Sequence, residues 1–480
     1  MSNSLKEKSI NSFVWKTGQS VCNLGMTFVI QLVLARMLAP ESFGIIAIST
    51  VFMTLANTII ETSFSSSVIQ RSSLEQKLTS SIFYANIFLS VLVYGVLFVI
   101  SPFISDFYAE PLLIPILRVQ GLKVVLSGFY SIPQAFLNRK MRFKTLFFCS
   151  FIGSIGQAVV GFAMAYAGAG VWALVISNLA YSIIAGIAII ITEPWKPSLY
   201  FSYKLVKDAL SFSSKVLAIR VIRKIFYNIR VLAIGRVYDT ETLGYFNKGF
   251  QFPSTAMTVV DGSLTAVAFT SLAKLQDDMK KFVSSLRQFV RIAMFLCTPL
   301  MVGMAMVAKP MVTVLLTDKW LDCVPFLQII CISQFFVPLN IKTTAFEALG
   351  DSKMSMRLHV SSIALSLVLL FASIPFSALV MAFSGVVSNV VLQIVIAVVT
   401  ARKMNYTIKE QLADAFCGFI PSVVMAGVIY VLSFVPFGNL LKLLLEIICG
   451  VAVFVAVSVI TRNKVFYSIL NIAKAKLLKR

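Results

Sequence analysis

The stretch RMLAPESFG (Arg36–Gly44) has a second copy, RVYDTETLG (Arg236–Gly244), at an offset of 200 residues. Both copies keep the spacing Arg-x4-Glu-x2-Gly, and each lies between two apolar runs. Internal repeats with this long a period are typical of transporters built from two related halves. The pattern predicts two six-helix lobes that point the same way in a membrane, because each half has an even number of spans.

Apolar runs of about 20 residues recur along a chain that is 58% hydrophobic and only 13% charged. We count about fourteen runs long enough to cross roughly 30 Å of hydrocarbon. The runs are continuous and lack the alternation of barrel strands, so their backbone groups must be satisfied within helices. The sequence predicts an all-α polytopic membrane protein with about fourteen transmembrane helices.

The repeat also predicts the domain organisation. We expect an N-terminal six-helix lobe in residues 1–200 and a C-terminal six-helix lobe in residues 201–410. Residues 411–480 then form a last helix pair, near Phe416–Pro436 and Leu440–Thr461, and a basic tail.

The net charge of +22 concentrates in alternate loops, which the positive-inside rule assigns to the cytoplasm. Both termini are therefore expected inside, and no nucleic-acid partner is needed to explain the charge. The intervening loops are short, which argues against an extracytoplasmic catalytic domain and predicts no enzymatic activity. The cations assigned to the cytoplasmic side are Lys6, Lys8, Arg71, Lys77, Arg139, Lys140, Arg142, Lys144, Lys196, Lys204, Lys207, Lys274, Lys280, Lys281, Arg287, Lys353, Arg357, Arg402, Lys403, Lys409 and, in the tail, Lys474, Lys476, Lys479 and Arg480.

The seventh span carries cations on one helical face. At about 100° per residue, the side chains of Arg220, Arg223, Tyr227 and Arg230 share one face, with Lys224 at its margin. Charges inside a membrane are costly and mark functional cavities, and arginine suits phosphate oxygens. We predict a cavity for an anionic head group; the alternative is an interfacial or snorkelling amphipathic helix.

Three other spans carry polar stripes that are expected to line the same cavity. Amide and hydroxyl side chains suit sugar hydroxyls, and the first-span stripe pairs with the seventh-span stripe at the 200-residue offset. The candidate residues are Lys16, Gln19, Asn23 and Gln31 in the first span, Lys123 and Tyr130 in the fourth, and Lys248 and Gln251 in the eighth.

Acidic residues within spans are few: Glu61, Asp261 and Glu347. Each is interpreted as a counter-charge or an ion site, and Asp261 is the candidate for cation or proton coupling. One histidine and scattered cysteines predict no metal site, and the absence of GxxxxGK[ST] predicts no ATPase on this chain. No catalytic residue and no cofactor are expected.

Several motifs in order along the chain carry a family resemblance: LAPESFG (Leu38–Gly44), FYAEP (Phe107–Pro111), IPQAFLNRKMRFK (Ile132–Lys144), GAGVWALV (Gly168–Val175) and KLQDD (Lys274–Asp278). With them the chain resembles the Wzx-type polysaccharide exporters, lipopolysaccharide and colanic acid flippases of the MOP flippase superfamily.

The resemblance implies two MATE-like six-helix lobes and alternating access in the bacterial inner membrane. It also implies a cargo, an undecaprenyl-pyrophosphate-linked oligosaccharide for O-antigen, capsule or exopolysaccharide, moved from the cytoplasmic to the periplasmic leaflet. Implied partners are membrane lipids, a polysaccharide polymerase and chain-length or export machinery.

Three other functions stay open. A peptidoglycan lipid-precursor flippase also handles an anionic head group. A MATE-type multidrug exporter is expected to carry a carboxylate in its first-half cavity, where this chain has Lys16. A membrane polysaccharide polymerase or ligase has the same composition, although it usually needs a larger outer loop.

Overall fold

The computed structural model describes residues 3–64 and 75–477, and within these ranges it consists of α-helices joined by turns, loops and two 3₁₀ segments. The first helices are α1 (Asn3–Met37), α2 (Pro40–Ser63), α3 (Gln76–Tyr108), α4 (Leu113–Arg139), α5 (Phe143–Tyr166) and α6 (Val171–Thr192). The next are α7 (Tyr203–Val237), α8 (Thr240–Ala273), α9 (Met279–Met306), α10 (Ala308–Leu316), α11 (Cys323–Phe335) and α12 (Ile341–Ala348). The last are α13 (Ser352–Ser373), α14 (Ala378–Met404), α15 (Ile408–Ala415), α16 (Phe419–Leu432), α17 (Asn439–Ile460) and α18 (Lys464–Leu477).

Thirteen segments of the described chain are long and apolar enough to cross a membrane. Two of them are broken helices, α11 with α12 and α15 with α16. Helix α7 has the length of a span, at 35 residues, but its cations keep it out of this set. The sequence predicts about fourteen spans, and the all-α polytopic fold is confirmed.

The sequence repeat is also a repeat of helix boundaries. Helix α7 begins and ends 200 residues after α1, and α8 begins 200 residues after α2. The N-termini of α2 and α8 are stabilised in different ways. Pro40 supplies the fixed φ of a first helical residue, whereas the carboxylate of Asp239 accepts a hydrogen bond from the Thr242 amide at 2.6 Å.

The glycines of the two motif copies make reciprocal contacts. A Cβ added at Gly44 would lie 1.7 Å from the carbonyl oxygen of Thr240, and one at Gly244 would lie 2.1 Å from that of Pro40. Neither distance is possible for a side-chain carbon, so the first turns of α2 and α8 pack backbone to backbone. This contact explains why both copies of the motif end in glycine.

The chain forms two compact units, Met1–Gly244 and Tyr245–Arg480. In the first unit α7 packs on α2 and α3, and α4 packs on α3 and α6. In the second unit α9 contacts α11, α15 and α16, and α16 packs on α17. The predicted last helix pair corresponds to α16 and α17, and the lobe boundaries expected from the repeat stay a prediction.

A network of charged side chains joins α9 to α15 in the second unit. Asp414, 1% exposed, accepts hydrogen bonds from the guanidinium groups of Arg287 and Arg291 and from the Tyr406 hydroxyl. Glu410 closes the N-terminal capping box of α15 and pairs with Arg287. Burial and the hydrogen bond to Asp414 raise the pKa of Tyr406, so its hydroxyl stays protonated and donates.

Candidate functional site

A cavity of about 640 Å³ lies between α2 and α7 in the first unit, and we call it the cationic cavity. Its α7 wall carries three cations and a phenol, and its α2 wall carries hydroxyls, an amide and one carboxylate. The lining residues are Thr54, Asn57, Thr58, Glu61 and Thr62 on α2 and Arg220, Arg223, Lys224 and Tyr227 on α7.

The cations outnumber the carboxylate in this cavity by three to one. Glu61 interacts electrostatically with Arg220 and Lys224, and with Lys123 on α4. Within the described part of the chain, no carboxylate forms an ion pair with Arg223. The cavity therefore has a net positive charge and presents guanidinium donors, which match the oxygens of a phosphate or pyrophosphate.

Helix periodicity puts the α7 cations on one wall. Positions 220, 223, 224 and 227 follow the i, i+3, i+4, i+7 pattern of a single face. Contacts with the end of α3 hold α7 near its C-terminus: the Tyr108 hydroxyl donates to the Leu232 carbonyl at 3.4 Å, and the Arg236 guanidinium lies 4.9 Å from the Phe107 ring centroid. These contacts fix the rotation of α7, and with it the face that lines the cavity.

A smaller cavity of about 110 Å³ shares Thr54 and Asn57 with the cationic cavity and extends to Lys123 on α4 and Asn178 on α6. The Oδ1 atom of Asn57 is buried and accepts no hydrogen bond from the described residues. A buried acceptor without a donor costs free energy, and a hydroxyl-rich ligand would supply that donor.

Fixed hydrogen bonds rigidify the polar wall around the smaller cavity. The Ser49 hydroxyl donates to the Gln120 amide oxygen at 2.8 Å, and the Gln157 amide donates to Asn178 at 3.2 Å. Asn178 in turn donates to the Leu174 carbonyl at 2.8 Å. These side chains are therefore held in place before any ligand arrives.

The structure brings together five of the predicted site residues. Arg220, Arg223, Lys224 and Tyr227 line the cationic cavity, and Lys123 lines the smaller one. Arg230 is half-buried and does not line either cavity, and its Nε has no hydrogen-bond partner among the described residues.

Tyr130 and the first-span stripe lie elsewhere in the first unit. Tyr130 packs on α6, where its ring would lie 2.7 Å from a Cβ at Gly186. The Gln19 amide is buried and donates to the Ser150 hydroxyl on α5 at 3.4 Å. Asn23 and Gln31 are half-buried and line neither cavity, and the side chain of Lys16 lies outside the described residues.

The remaining candidates belong to the second unit. Lys248 is buried, donates to the Gln251 amide oxygen at 3.0 Å, and lies 5.9 Å from the centroid of the Trp320 ring. Asp261 is half-buried and accepts a hydrogen bond from Thr265 at 3.4 Å. Among the described residues no cluster of His, Cys, Asp and Glu could hold a metal ion.

Sequence reasoning missed most of the α2 wall. It identified Glu61 as a counter-charge or an ion site and did not select Thr54, Asn57, Thr58 or Thr62. The signal was present, because these positions recur at intervals of three and four residues in an otherwise apolar helix. Threonine is also common where membrane helices pack together, so its hydroxyl indicates a ligand site less strongly than a cation does.

The family and the individual protein that this chain matches are described as polysaccharide and lipopolysaccharide biosynthesis proteins. A family described as polysaccharide biosynthesis protein matches residues 33–325. The chain is 24% identical over 337 residues to the lipopolysaccharide biosynthesis protein WzxC of Escherichia coli (strain K12), covering 68% of this chain and 67% of WzxC.

Two solved structures share the fold. The lipid II flippase MurJ in an inward closed conformation aligns with a TM-score of 0.66 and 16% identity, over 96% of this chain and 99% of MurJ. An inward-facing multidrug resistance MATE family transporter of the MOP superfamily aligns with a TM-score of 0.64 and 15% identity, over 82% of this chain and 96% of the transporter.

Proposed function

Since the chain belongs to the polysaccharide biosynthesis protein family, we propose that it is a flippase for an undecaprenyl-pyrophosphate-linked oligosaccharide. The cargo moves from the cytoplasmic to the periplasmic leaflet of a bacterial inner membrane by alternating access, and both termini are cytoplasmic. The observation that carries this proposal is the cationic cavity, with Arg220, Arg223 and Lys224 opposite a wall of hydroxyls and Asn57.

The two walls correspond to the two parts of such a head group. The pyrophosphate takes the guanidinium donors of α7, because charge-assisted bidentate hydrogen bonds select phosphate over neutral groups. The first sugar takes the hydroxyls and amides of α2 and of the smaller cavity. Glu61 interacts electrostatically with Arg220 and Lys224 and reduces the repulsion among the cations of the cavity.

The test is complementation of a strain that lacks this gene, with leaflet-resolved analysis of the lipid-linked oligosaccharide. The double variant Arg220→Gln, Arg223→Gln should leave unpolymerised units facing the cytoplasm, whereas wild type restores surface glycan. The matched control is Lys207→Gln, which removes a positive charge from an exposed position of the same helix outside the cavity. Arg230→Gln, added to the double variant, tests the seventh-span stripe as a whole.

Other outcomes would favour other functions. Intact transport in the Arg220, Arg223 double variant would overturn the role of the cavity. Unchanged glycan with altered drug sensitivity after deletion would indicate a multidrug exporter. Elongation of glycan by the purified protein would indicate a polymerase or ligase.

The second candidate is a flippase for the peptidoglycan precursor, favoured by the similarity to MurJ over 96% of the chain. Its head group is also anionic, so the cationic cavity suits both. Accumulation of the peptidoglycan precursor, rather than of the oligosaccharide repeat unit, in the deletion strain would favour this candidate.

A further inference from the structure

A separate apolar cavity of about 330 Å³ lies in the second unit, among α9, α11, α12, α14 and α15. Its mouth lies between α14 and α15, where Ile394 and Leu412 are more than half exposed and Ile408 and Phe416 nearly so. Both helices belong to candidate membrane spans, so we expect this mouth to face hydrocarbon rather than water. An apolar chain can enter the cavity from the bilayer.

Lys342 on α12 places an amine inside this apolar cavity. The residue is 3% exposed, and its Nζ donates one hydrogen bond, to the Gln411 amide oxygen at 3.2 Å. A lysine amine has three donors, and the described residues that line the cavity include no carboxylate to pair with it. A buried cation without a counter-charge is costly, and an anionic ligand would remove that cost.

Gln393 on α14 presents the complementary group. Its amide nitrogen donates to Asn340 Oδ1 at 2.8 Å and to the Phe336 carbonyl at 3.4 Å, which fixes the orientation of the amide. Its Oε1 is buried and accepts no hydrogen bond from the described residues. The cavity thus holds a cationic donor and an orphan acceptor, and both residues are more than nine-tenths buried.

The depth of Lys342 matches that of a lipid head group. It lies six residues before the end of α12 at Ala348, or about 9 Å along a helix. Beyond that end, in the following turn, Asp351 pairs with Lys403 at 2.6 Å. We therefore expect the amine to lie near the polar boundary of the membrane, while the cavity extends among apolar side chains.

We propose that this cavity binds an anionic glycerophospholipid from the surrounding leaflet. One acyl chain fills the apolar cavity, the phosphodiester accepts from the Lys342 amine, and a head-group hydroxyl donates to Gln393 Oε1. The bound lipid bridges α12, α14 and α15 and stabilises the second unit. This site is independent of the proposed cargo and of the cationic cavity.

The test uses the full chain, purified in detergent and depleted of lipid. Phosphatidylglycerol should raise the temperature of unfolding more than phosphatidylcholine at equal concentration, and should be retained in native mass spectra. Lys342→Met removes the charge but keeps length and apolarity, so the variant should fold while binding phosphatidylglycerol about tenfold more weakly. Lys409→Met, an exposed lysine on α15, is the matched control and should bind as wild type does.

A second variant tests the cavity without changing its charge. Ala397→Phe places a ring in the space assigned to the acyl chain and should abolish the stabilisation by phosphatidylglycerol. Equal stabilisation by both lipids, or unchanged binding in the Lys342→Met and Ala397→Phe variants, would overturn the proposal. Because binding is measured without transport, loss of transport in the α7 variants leaves this result unaffected.

Discussion

Helices α7 and α9 both carry arginines at helical spacing, yet their surroundings differ. On α9, Arg287 and Arg291 are paired with Asp414, a carboxylate that is 1% exposed. On α7, Arg220 and Arg223 line a cavity that contains a single carboxylate, Glu61. The difference separates two uses of charge: the α9 cations hold helices together, whereas the α7 cations are available to an anionic ligand.

The energetics of the two sites follow from this difference. Removing one partner of a buried ion pair leaves an uncompensated charge and is strongly destabilising. Removing a cation that has few partners costs the fold little and can stabilise it, because like charges then repel less. The two regions should therefore respond in opposite ways to the same kind of substitution.

The largest effect is expected at Asp414. Asp414→Asn leaves Arg287 and Arg291 without their shared carboxylate and should lower the free energy of unfolding by roughly 2–4 kcal/mol. Thermal unfolding in detergent measures this, with Asp277→Asn, the same change at an exposed carboxylate, as the control. If Asp277→Asn lowered the free energy of unfolding equally, the loss at Asp414 could not be assigned to its ion pairs with Arg287 and Arg291.

The next effect concerns transport rather than stability. Arg223→Gln should reduce export of the lipid-linked oligosaccharide about tenfold, the effect of losing one charge-assisted contact. Its unfolding temperature should stay at or above that of wild type, since no ion pair is lost. If the variant unfolds at a lower temperature but still transports at the wild-type rate, then Arg223 stabilises the fold, as the α9 arginines do, and does not bind the cargo.

A smaller effect is expected when an α9 arginine keeps its charge but loses its shape. The planar guanidinium of Arg287 contacts Asp414 and Glu410 at once, and a lysine amine lacks this fork. Arg287→Lys should therefore lower the free energy of unfolding by about 1 kcal/mol. Thermal unfolding of this variant and of Arg223→Lys compares the effect of the same substitution on α9 and on α7. Only the α9 variant should be destabilised.

The sequence predicted the fold well because its signals are periodic and long. Apolar runs give the spans, and the offset between Arg36 and Arg236 gives the repeat. The α7 wall of the cavity was also predictable, since cations in a membrane helix stand out. The α2 wall gave a weaker signal. Its polar residues recur at helical spacing, but residues such as Thr54 and Asn57 also occur where helices pack together, and the three-dimensional pairing of α2 with α7 is what assigns them to the cavity.

The smallest effect is expected at an exposed pair. Asp351 accepts hydrogen bonds from the Lys403 side chain and from the Met354 amide, and these bonds lower its pKa from the ordinary value of 3.8. A folded-state pKa below the unfolded value stabilises the fold above pH 3.8, and this contribution is lost as pH falls through the folded-state pKa.

Asp351→Ala should therefore unfold slightly earlier than wild type at pH 7, and the two melting temperatures should converge as the pH falls below 3.8. Melting curves across this pH range measure the gap. A gap that stays constant with pH would assign the effect to packing rather than to the carboxylate.

The reciprocal contact of Gly44 with Thr240 and of Gly244 with Pro40 has an evolutionary consequence. Each motif copy supplies both a glycine and the backbone on which the other glycine rests. A larger residue in one copy would be accommodated only if the backbone of the other copy moved as well. The two copies are therefore coupled at this contact, so that a substitution in one copy constrains what the other can accept.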